Sequence, residues 1–282
     1  MKKELLDTLY CPECHSRFLD DKESILECEG CHKKIKMINN TPIFSEVPST
    51  IEPWEKIERG PNKGTLWRRS NWVFLENSIQ NVSPEALILD VGAGHGDFAD
   101  IFVGRKYYSV DIVPYDEVDI VVDLGQSNPF KPSSFNVIIL MNVLEHVYES
   151  RELLRTIASI LAPGGVVIVT VPFLLKVHQA PFDFSRYTPF SLRKLAEESE
   201  LQVESLKAYY DTNYLLNESL GNVWQYSLPS RSGIKTFLAK ILVFFVQKMV
   251  NLLAFVTQKG FIAEVSTQSN PAPVGYLLVL RK

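Results

Sequence analysis

All four cysteines of the chain lie within its first 31 residues, in two pairs of identical internal spacing. They are Cys11, Cys14, Cys28 and Cys31. Four thiolates arranged as two such pairs suit a tetrahedral Zn²⁺ ion, which would hold together a module too small to have much core. Because the chain begins without the apolar stretch of a signal peptide, we expect a cytoplasmic, reducing location, where metal binding is favoured over disulfides.

A glycine-rich segment follows directly on the apolar run Leu87–Leu89. Its sequence is Asp90-Val91-Gly92-Ala93-Gly94-His95-Gly96-Asp97. A dinucleotide-binding loop of the form GxGxxG needs its third glycine at position 97, where Asp97 stands, so the pattern argues against NAD. Asp90 could receive a cationic amino group of a ligand. Asp111, at the end of the next predicted strand, lies close to the spacing of about 20 residues at which an acid meets ribose hydroxyls.

Beyond residue 65 the chain alternates short apolar runs with helical patterns. Strands are predicted at 86–91, 107–110, 118–122, 137–141, 166–171, 202–209 and 275–280. Helices are predicted at 66–79, 144–161 and 188–199. This alternation indicates parallel βαβ units and therefore an α/β fold with a doubly wound, mostly parallel sheet. The predicted division is a zinc-binding module (1–48), a linker rich in Pro, Gly and charge (49–64) and the α/β domain (65–282).

Several of these segments, in this order, resemble motifs of the class I S-adenosylmethionine-dependent methyltransferases. The glycine loop resembles motif I, and Asp111 matches the acidic ribose-binding position. Asp123-Leu124 resembles the segment that flanks the adenine, and residues 142–146 (NVLEH) and 161–165 (LAPGG) resemble elements around the fourth and fifth strands. The resemblance implies a Rossmann-like fold with S-adenosyl-L-methionine as cofactor. The residues that it assigns to cofactor binding are Asp90, Gly92, Ala93, Gly94, Gly96, Asp111, Ile112, Asp123, Leu124 and Asn142.

Two histidines could serve as the general base that an acceptor with a proton to lose would need. His146 closes the motif after the fourth strand, and packing against the cofactor is an equal alternative for it. His178 begins a segment similar to the H-x-x-P-x-D-F-x-R-Y-T-P stretch of type-11-like methyltransferases, many of which act in cell-surface glycan pathways. This resemblance implies acceptor binding by Asp183, Arg186 and Tyr187. The alternative is an Asp183–Arg186 ion pair that only stiffens the loop.

These patterns together predict methyl transfer to an oxygen or nitrogen of a small molecule or glycan. The second candidate is RNA methylation with the zinc module docking RNA. Against it stand a net charge of −4 and a lack of long basic clusters, since the basic residues occur in short pairs such as Arg68-Arg69 and Lys33-Lys34. A scaffold with a vestigial pocket is the third candidate. Residues 11–44 resemble Trm112-like zinc modules, for which a structural role is our expectation, and the oligomeric state stays open.

Residues 236–257 form a long apolar stretch whose polar interruptions are Lys240, Gln247, Lys248 and Asn251. At about 100° per residue these four fall on one narrow face, which predicts an amphipathic helix with a broad apolar side. No acidic residue occurs from 235 to 259. We expect the apolar side to be buried within protein, with contact at a membrane surface as the alternative.

Overall fold

Two β-sheets organise the chain in the computed structural model, which describes residues 3–20, 25–47, 56, 58–223, 234–256, 260–265 and 273–282. The N-terminal part consists of α1 (Lys3–Thr8) and the antiparallel strands β1 (Phe18–Asp20), β2 (Ile25–Cys28), β3 (Lys34–Ile38) and β4 (Thr41–Pro42). The strands of the larger sheet are β5 (Leu87–Val91), β6 (Lys106–Asp111), β7 (Ile120–Val121), β8 (Phe135–Met141), β9 (Leu161–Pro172), β10 (Gln202–Tyr210), β11 (Phe261–Glu264) and β12 (Gly275–Arg281). The helices beside it are α2 (Leu66–Ser78), α3 (Ser150–Ile160), α4 (Pro189–Glu198), α5 (Thr212–Asn222) and α6 (Ile234–Val256).

The larger sheet has the strand order β11-β10-β12-β9-β8-β5-β6-β7. Strands β9, β8, β5, β6 and β7 are parallel, whereas β12 pairs antiparallel with both β9 and β10. Alternate residues of β8 enter two separate cores, Ile138 and Leu140 on one face and Val137 and Ile139 on the other. A strand buried on both faces requires an unbroken apolar run, and this is the pattern that predicted it. The α/β fold is confirmed, with a mixed sheet in which β9, β8, β5, β6 and β7 form the parallel part.

The predicted helix 144–161 is wrong over its first part. Residues Leu144–His146 form a short 3-10 turn, and α3 begins only at Ser150. The reason is a tertiary contact, because the Glu145 carbonyl accepts hydrogen bonds from the N–H groups of Phe184 (2.8 Å) and Ser185 (3.3 Å). These bonds tie the turn to the loop after β9.

The N-terminal module shares a hydrophobic core with the larger sheet. Leu9 forms an antiparallel bridge with Phe130, and Ile43, which follows β4, forms a parallel bridge with Val121 of β7. The module therefore pairs with the edge strand β7 and covers polar backbone groups that an open edge would leave unpaired. The predicted boundary at residue 48 thus separates two parts that are packed against each other. Of the predicted linker 49–64, residues 49–55 and 57 lie outside the described residues.

Helix α2 matches the predicted helix 66–79 and packs across the second core. It begins where the side chain of Thr65 accepts a hydrogen bond from the N–H of Arg68 at 3.2 Å, the usual arrangement of an N-cap. Trp67, Trp72 and Leu75 are buried on its inner face. This places Trp67 and Arg68 beside the glycine-rich segment after β5.

Within the single chain, helix α6 exposes its apolar side chains, so they are not buried against the α/β domain, and burial against a second copy stays a prediction. The exposed fractions are 64% for Phe237, 64% for Leu242 and 70% for Met249. Its main contact in the described structure is α5, where Asn217 Nδ2 donates to Asn251 Oδ1 at 3.0 Å. An amphipathic pattern predicts which face is apolar, whereas burial depends on which other element lies over it. None of the helices that the structure describes has the length and hydropathy needed to span a membrane.

Candidate active site

The glycine segment forms an open cradle at the carboxyl end of β5. Gly92, Gly94 and Gly96 have φ angles of 73°, 54° and 68°, a region that glycine adopts readily and other residues do not. A Cβ on Gly92 would stand 2.6 Å from Val143 Cγ2, so a side chain there is also excluded by space. A Cβ on Gly94 would meet no atom of the described structure within 4 Å. The loop is therefore tight against β8 and open on the Gly94 side.

Asp111 closes this cradle at the carboxyl end of β6. Its Oδ2 accepts a hydrogen bond from the Gly94 N–H at 2.8 Å, and its Oδ1 accepts one from the Val113 N–H at 2.9 Å. Burial raises the pKa of this carboxyl. Each carboxylate oxygen has a second lone pair, so Asp111 can hold the loop and still accept hydroxyl donors from a ligand.

Asp90 is buried beneath the same loop. Tyr107 donates its hydroxyl to Asp90 Oδ2 at 2.6 Å. Burial raises the pKa of Asp90 to about 7, and only the Tyr107 hydrogen bond opposes that rise. A cationic ligand group nearby would favour the ionised carboxylate. This environment is consistent with the predicted role of Asp90 opposite an amino group.

Helix α2 supports the cradle from the other side through two contacts that the sequence analysis missed. Trp67 Nε1 donates to Asn142 Oδ1 at 2.8 Å, and Asn142 has a left-handed backbone with φ of 58°. The buried Arg68 donates from Nη2 to the Asp97 carbonyl at 2.6 Å. Both contacts join residues far apart in the sequence, so no local pattern could have predicted them.

The other predicted cofactor residues are placed less directly. The Asp123 carboxylate accepts hydrogen bonds from the Gly125 N–H (2.9 Å) and from Gln126 Nε2 (2.5 Å), so it closes a turn of its own after β7. Leu124 and Ala93 are buried, and Ile112 is partly buried. Their roles towards an adenine remain predictions.

A cluster of Glu145, His146 and His178 lies at the carboxyl end of β8, next to the cradle. Glu145 Oε1 is 3.6 Å from His146 Nε2 and 3.9 Å from His178 Nε2. The two imidazoles meet edge to face, with ring centroids 4.7 Å apart. The structure therefore brings together the two histidines that the sequence predicted and adds a carboxylate that it did not.

Burial decides the protonation states in this cluster. It raises the pKa of Glu145 to about 8 and lowers that of His146 to about 4. It also lowers the pKa of His178. His146 Nδ1 lies 2.7 Å from the Phe182 carbonyl, so a neutral ring donates there and presents the lone pair of Nε2 to Glu145. At neutral pH His146 is a neutral imidazole that can accept a proton or bind a cation.

The loop after β9 holds the cluster in place. Arg186 Nη2 donates to Asp183 Oδ2 at 2.8 Å, and although burial acts upward, this pairing lowers the pKa of Asp183 to about 2. The same oxygen is 3.2 Å from His178 Nδ1. The buried Tyr187 donates its hydroxyl to the Leu144 carbonyl at 2.9 Å. The side chains of Asp183, Arg186 and Tyr187 therefore help to hold the loop in its fold. Direct binding of an acceptor by these three residues stays a prediction.

Glu145 is the residue that the sequence analysis overlooked, although it lies inside a motif that was recognised. A carboxylate directly before a histidine at the end of a buried strand was the available signal. Its importance follows from burial, because its side chain is 0% exposed and neither carboxyl oxygen has a hydrogen-bond partner among the described residues.

The four cysteine sulfurs also converge. Cys11 Sγ is 3.6 Å from Cys31 Sγ and Cys14 Sγ is 3.3 Å from Cys28 Sγ, and all four sulfurs lie within 4.8 Å of one another. A tetrahedral zinc ion with Zn–S bonds of about 2.3 Å separates its sulfur ligands by about 3.8 Å. The observed separations between the cysteine sulfurs are close to this value and far longer than the roughly 2.05 Å of a disulfide bond. The four thiols therefore fit one metal ion.

The part of the chain that carries this site is similar to known proteins. Residues 78–206 match a family model described as a methyltransferase domain. A probable S-adenosylmethionine-dependent methyltransferase from Mycolicibacterium smegmatis is 28% identical over 130 residues, which cover 40% of this chain and 49% of that protein. A ubiquinone biosynthesis O-methyltransferase from Caulobacter is 31% identical over 99 residues, covering 29% and 39% of the two chains. The chain thus spans about half or less of the length of these curated relatives.

Solved structures of similar fold include phosphoethanolamine N-methyltransferase 2 of Haemonchus contortus in complex with S-adenosyl-L-methionine. It is 14% identical, with a TM-score of 0.44 and coverage of 76% of this chain and 52% of that one. An S-adenosylmethionine-dependent methyltransferase from Archaeoglobus fulgidus is 13% identical, with a TM-score of 0.45 and coverage of 76% and 94%. At this level of similarity neither structure bears on the activity of this chain.

The family match together with the curated relatives defines the class of one segment of the chain. That segment, which carries the glycine cradle, Asp111 and the Glu145 cluster, matches a methyltransferase domain and is similar to S-adenosylmethionine-dependent methyltransferases. None of these matches specifies its methyl acceptor.

Proposed function

We propose that this protein transfers a methyl group from S-adenosyl-L-methionine to an oxygen or nitrogen atom of a small-molecule or glycan acceptor. The observation that carries the proposal is the proximity of two sites. Val143 packs against Gly92 of the cradle, and Glu145 lies two residues further along the chain. A cradle for a nucleoside and a cluster that can activate an acceptor are therefore neighbours at the same edge of the sheet.

The residues present fit the cofactor. Asp111 would accept its ribose hydroxyls, Asp90 would face its amino group, and the open side of Gly94 leaves room for close approach of a ligand. S-Adenosyl-L-methionine supplies an activated methyl group on a sulfonium, a leaving group that needs no further activation. The remaining task of the protein is to position the acceptor and to exclude water.

The Glu145 cluster would receive the acceptor. His146 is neutral at physiological pH, so it does not repel a cationic sulfonium and its Nε2 can interact with an acceptor proton. The loop after β9 surrounds the cluster with polar groups among aromatic rings, which suits a polar acceptor such as a sugar or a substituted small molecule.

An acceptor screen with isotopically labelled cofactor tests the proposal. Mass spectrometry of incubated pools should find the label on an oxygen or nitrogen of a small molecule or glycan, and not on RNA offered in parallel. A His178→Ala variant should bind the cofactor like the wild type and lose about 10²–10⁴-fold in turnover, the range expected for a group that activates the acceptor. Equal turnover by the variant and the wild type would show that His178 does not activate the acceptor.

We propose that the cysteine module binds one structural Zn²⁺ through Cys11, Cys14, Cys28 and Cys31. The convergence of the four sulfurs supports this, as does the small size of the module's own apolar core. Its role would be to cover the edge of the sheet at β7 and to hold Ile43 in its bridge with Val121.

We further propose that α6 contacts the surface of a membrane. Its exposed apolar side chains, with no acidic residue in the helix and with Lys240 and Lys248 in it, suit an interface of anionic lipid. Lys248 Nζ lies 5.4 Å from the centre of the Phe244 ring, so this cation is carried close to the apolar surface. A helix of this kind lies on a membrane and does not cross it.

Co-sedimentation with anionic liposomes checks the membrane proposal. The double variant Leu242→Ser/Phe245→Ser should bind at least roughly 10-fold more weakly than the wild type, because two apolar side chains of about 1.5–3 kcal/mol each are removed from the interface. The matched control is Val103→Ser/Phe190→Ser, which removes two residues that are 82% and 71% exposed elsewhere. Equal sedimentation of both variants, or a wild type that stays in solution, would refute the contact.

A further inference from the structure

In the part of the chain that the structure describes, the Glu145 carboxyl group is buried in a setting that satisfies neither its charge nor its hydrogen-bonding capacity. Its side chain is 0% exposed, and neither Oε1 nor Oε2 has a hydrogen-bond partner among the described residues. Burial of a carboxyl group without a partner is costly, and such groups in folded proteins are almost always satisfied by protein, water or an ion. The Nε2 atoms of two histidines lie 3.6 and 3.9 Å from its Oε1. The group that satisfies Glu145 must therefore fit between a carboxylate and two imidazoles.

A hydrogen bond to either histidine does not satisfy the Glu145 carboxyl group. His146 uses its Nδ1 proton on the Phe182 carbonyl, so its Nε2 offers a lone pair and no proton to Glu145. A protonated Glu145 could donate to one imidazole nitrogen at most. The separations of 3.6 and 3.9 Å are moreover longer than any hydrogen bond between nitrogen and oxygen.

The same separations suit a shared metal ion. The ligand atoms of Glu145, His146 and His178 all lie within 4.8 Å of one another. Bonds of about 2.1 Å from nitrogen and oxygen to a tetrahedrally coordinated ion place neighbouring ligands about 3.4 Å apart. Oε1 lies 3.6 and 3.9 Å from the two Nε2 atoms, so shifts of a few tenths of an ångström would bring it to that spacing from each of them.

Both imidazoles also have the outer contacts that orient a metal-binding histidine. The Nδ1 atom of His146 bonds to the Phe182 carbonyl, and that of His178 lies 3.2 Å from Asp183 Oδ2. Backbone carbonyls and carboxylates are the usual partners of the second ring nitrogen in metal sites, because they fix the tautomer and direct Nε2 at the ion. Asp183 is itself held by Arg186.

We propose that Glu145, His146 and His178 bind one divalent transition-metal ion of the Zn²⁺ type, whose remaining coordination positions face the acceptor. Two imidazoles and one carboxylate favour such an ion over Mg²⁺ or Ca²⁺, which prefer oxygen ligands throughout. The binding of the ion is inferred from this geometry alone. The role of the ion in catalysis depends on the proposed methyl transfer.

The ion would select an acceptor with a hydroxyl group. A hydroxyl oxygen bound to a divalent cation loses its proton to water more readily, which yields an oxygen nucleophile near neutral pH. That oxygen forms the new O–C bond as the S–C bond breaks, and the electron pair of the broken bond stays on sulfur. The two histidines then act as ligands, and the cation lowers the pKa of the bound hydroxyl so that water can take its proton.

Zinc stoichiometry tests the site in the full chain. After equilibrium dialysis against micromolar Zn²⁺, elemental mass spectrometry should find about two zinc ions per wild-type chain, one of them in the cysteine site. The variants Glu145→Gln and His178→Ala should retain about one, with binding of the other ion weakened at least about 100-fold. The matched control Glu149→Gln removes an exposed carboxylate from the same loop and should keep about two. Thermal melting of each variant checks that the fold is intact.

The outcomes separate this inference from the proposed function. A wild-type chain with only the cysteine-bound zinc, or a Glu145→Gln variant that binds as much zinc as the wild type, overturns the second metal site. Calorimetric titration with S-adenosyl-L-methionine, run on the same samples, reports on the cofactor cradle alone. Zinc binding that depends on Glu145 in a protein without cofactor binding would leave the metal site standing and refute the methyltransferase proposal.

Discussion

Replacing Asp111 by alanine should weaken the binding of S-adenosyl-L-methionine by about 100-fold or more in a calorimetric titration. Asp111 accepts the Gly94 N–H and the Val113 N–H, so it shapes the cradle and would also accept the cofactor's ribose hydroxyls. Hydrogen bonds to an ionised group contribute about 1.5–3 kcal/mol each. Loss of two such bonds corresponds to about 3 kcal/mol or more, and each 1.4 kcal/mol is roughly a factor of ten in the dissociation constant.

The control for this prediction is Asp116→Ala, which removes an exposed carboxylate from the same β6–β7 connection. It should bind the cofactor like the wild type. An intermediate affinity for Asp111→Asn would fit the proposed role, because the amide retains one acceptor oxygen. Wild-type affinity in a folded Asp111→Ala protein would show that the cofactor does not lie in this cradle.

Replacing Cys28 by serine should remove the zinc from the N-terminal module and lower the melting temperature by roughly 10 °C. In small modules the free energy of metal binding is largely free energy of folding. The effect should extend beyond the module because Cys28 is buried in a core that also contains Leu9 and Phe130. A fall of this size corresponds to about 3–5 kcal/mol, since each kcal/mol shifts the melting temperature of a large domain by roughly 2–4 °C.

His32→Ala provides the matched control for the cysteine variant. His32 directly follows Cys31, but its Nδ1 faces Glu27 Oε1 at 3.0 Å and the residue is exposed, so zinc content and melting temperature should stay at wild-type values. Zinc is to be counted after dialysis against a mild chelator that empties weaker sites. A Cys28→Ser protein that keeps its zinc and its melting temperature would contradict the structural role of the module.

The glycine cradle was predictable because its parts follow a rule of parallel sheets. Asp90 and Asp111 end neighbouring parallel strands, and the carboxyl ends of such strands meet at one edge. Glycine spacing then indicates where the backbone turns, as the positive φ angles of Gly92 and Gly94 confirm. The positions of these residues along the chain were enough to predict that they meet, because neighbouring parallel strands end at the same edge of the sheet.

The acceptor side was predictable only in part. Both histidines were recognised, but their meeting at Glu145 depends on the loop after β9 folding back over β8. That fold is held by the hydrogen bonds from Phe184 and Ser185 to the Glu145 carbonyl and by the one from Tyr187 to Leu144. These are contacts between distant residues, and they also end the helical pattern that led to the wrong start of α3.

By itself the sequence determined the positions along the chain of seven strands of the larger sheet, the glycine cradle with its two acids, and the convergence expected of two cysteine pairs, because each of these depends on spacing within or between adjacent elements. The tertiary structure alone decided that Glu145 is buried with no hydrogen-bond partner for its carboxyl group in the described part of the chain, that the cysteine module covers the edge of the sheet at β7, and that the apolar side of α6 is exposed. Burial is the physical reason for the difference. It is a property of what packs over a residue, and the chain's own periodicity does not contain that information.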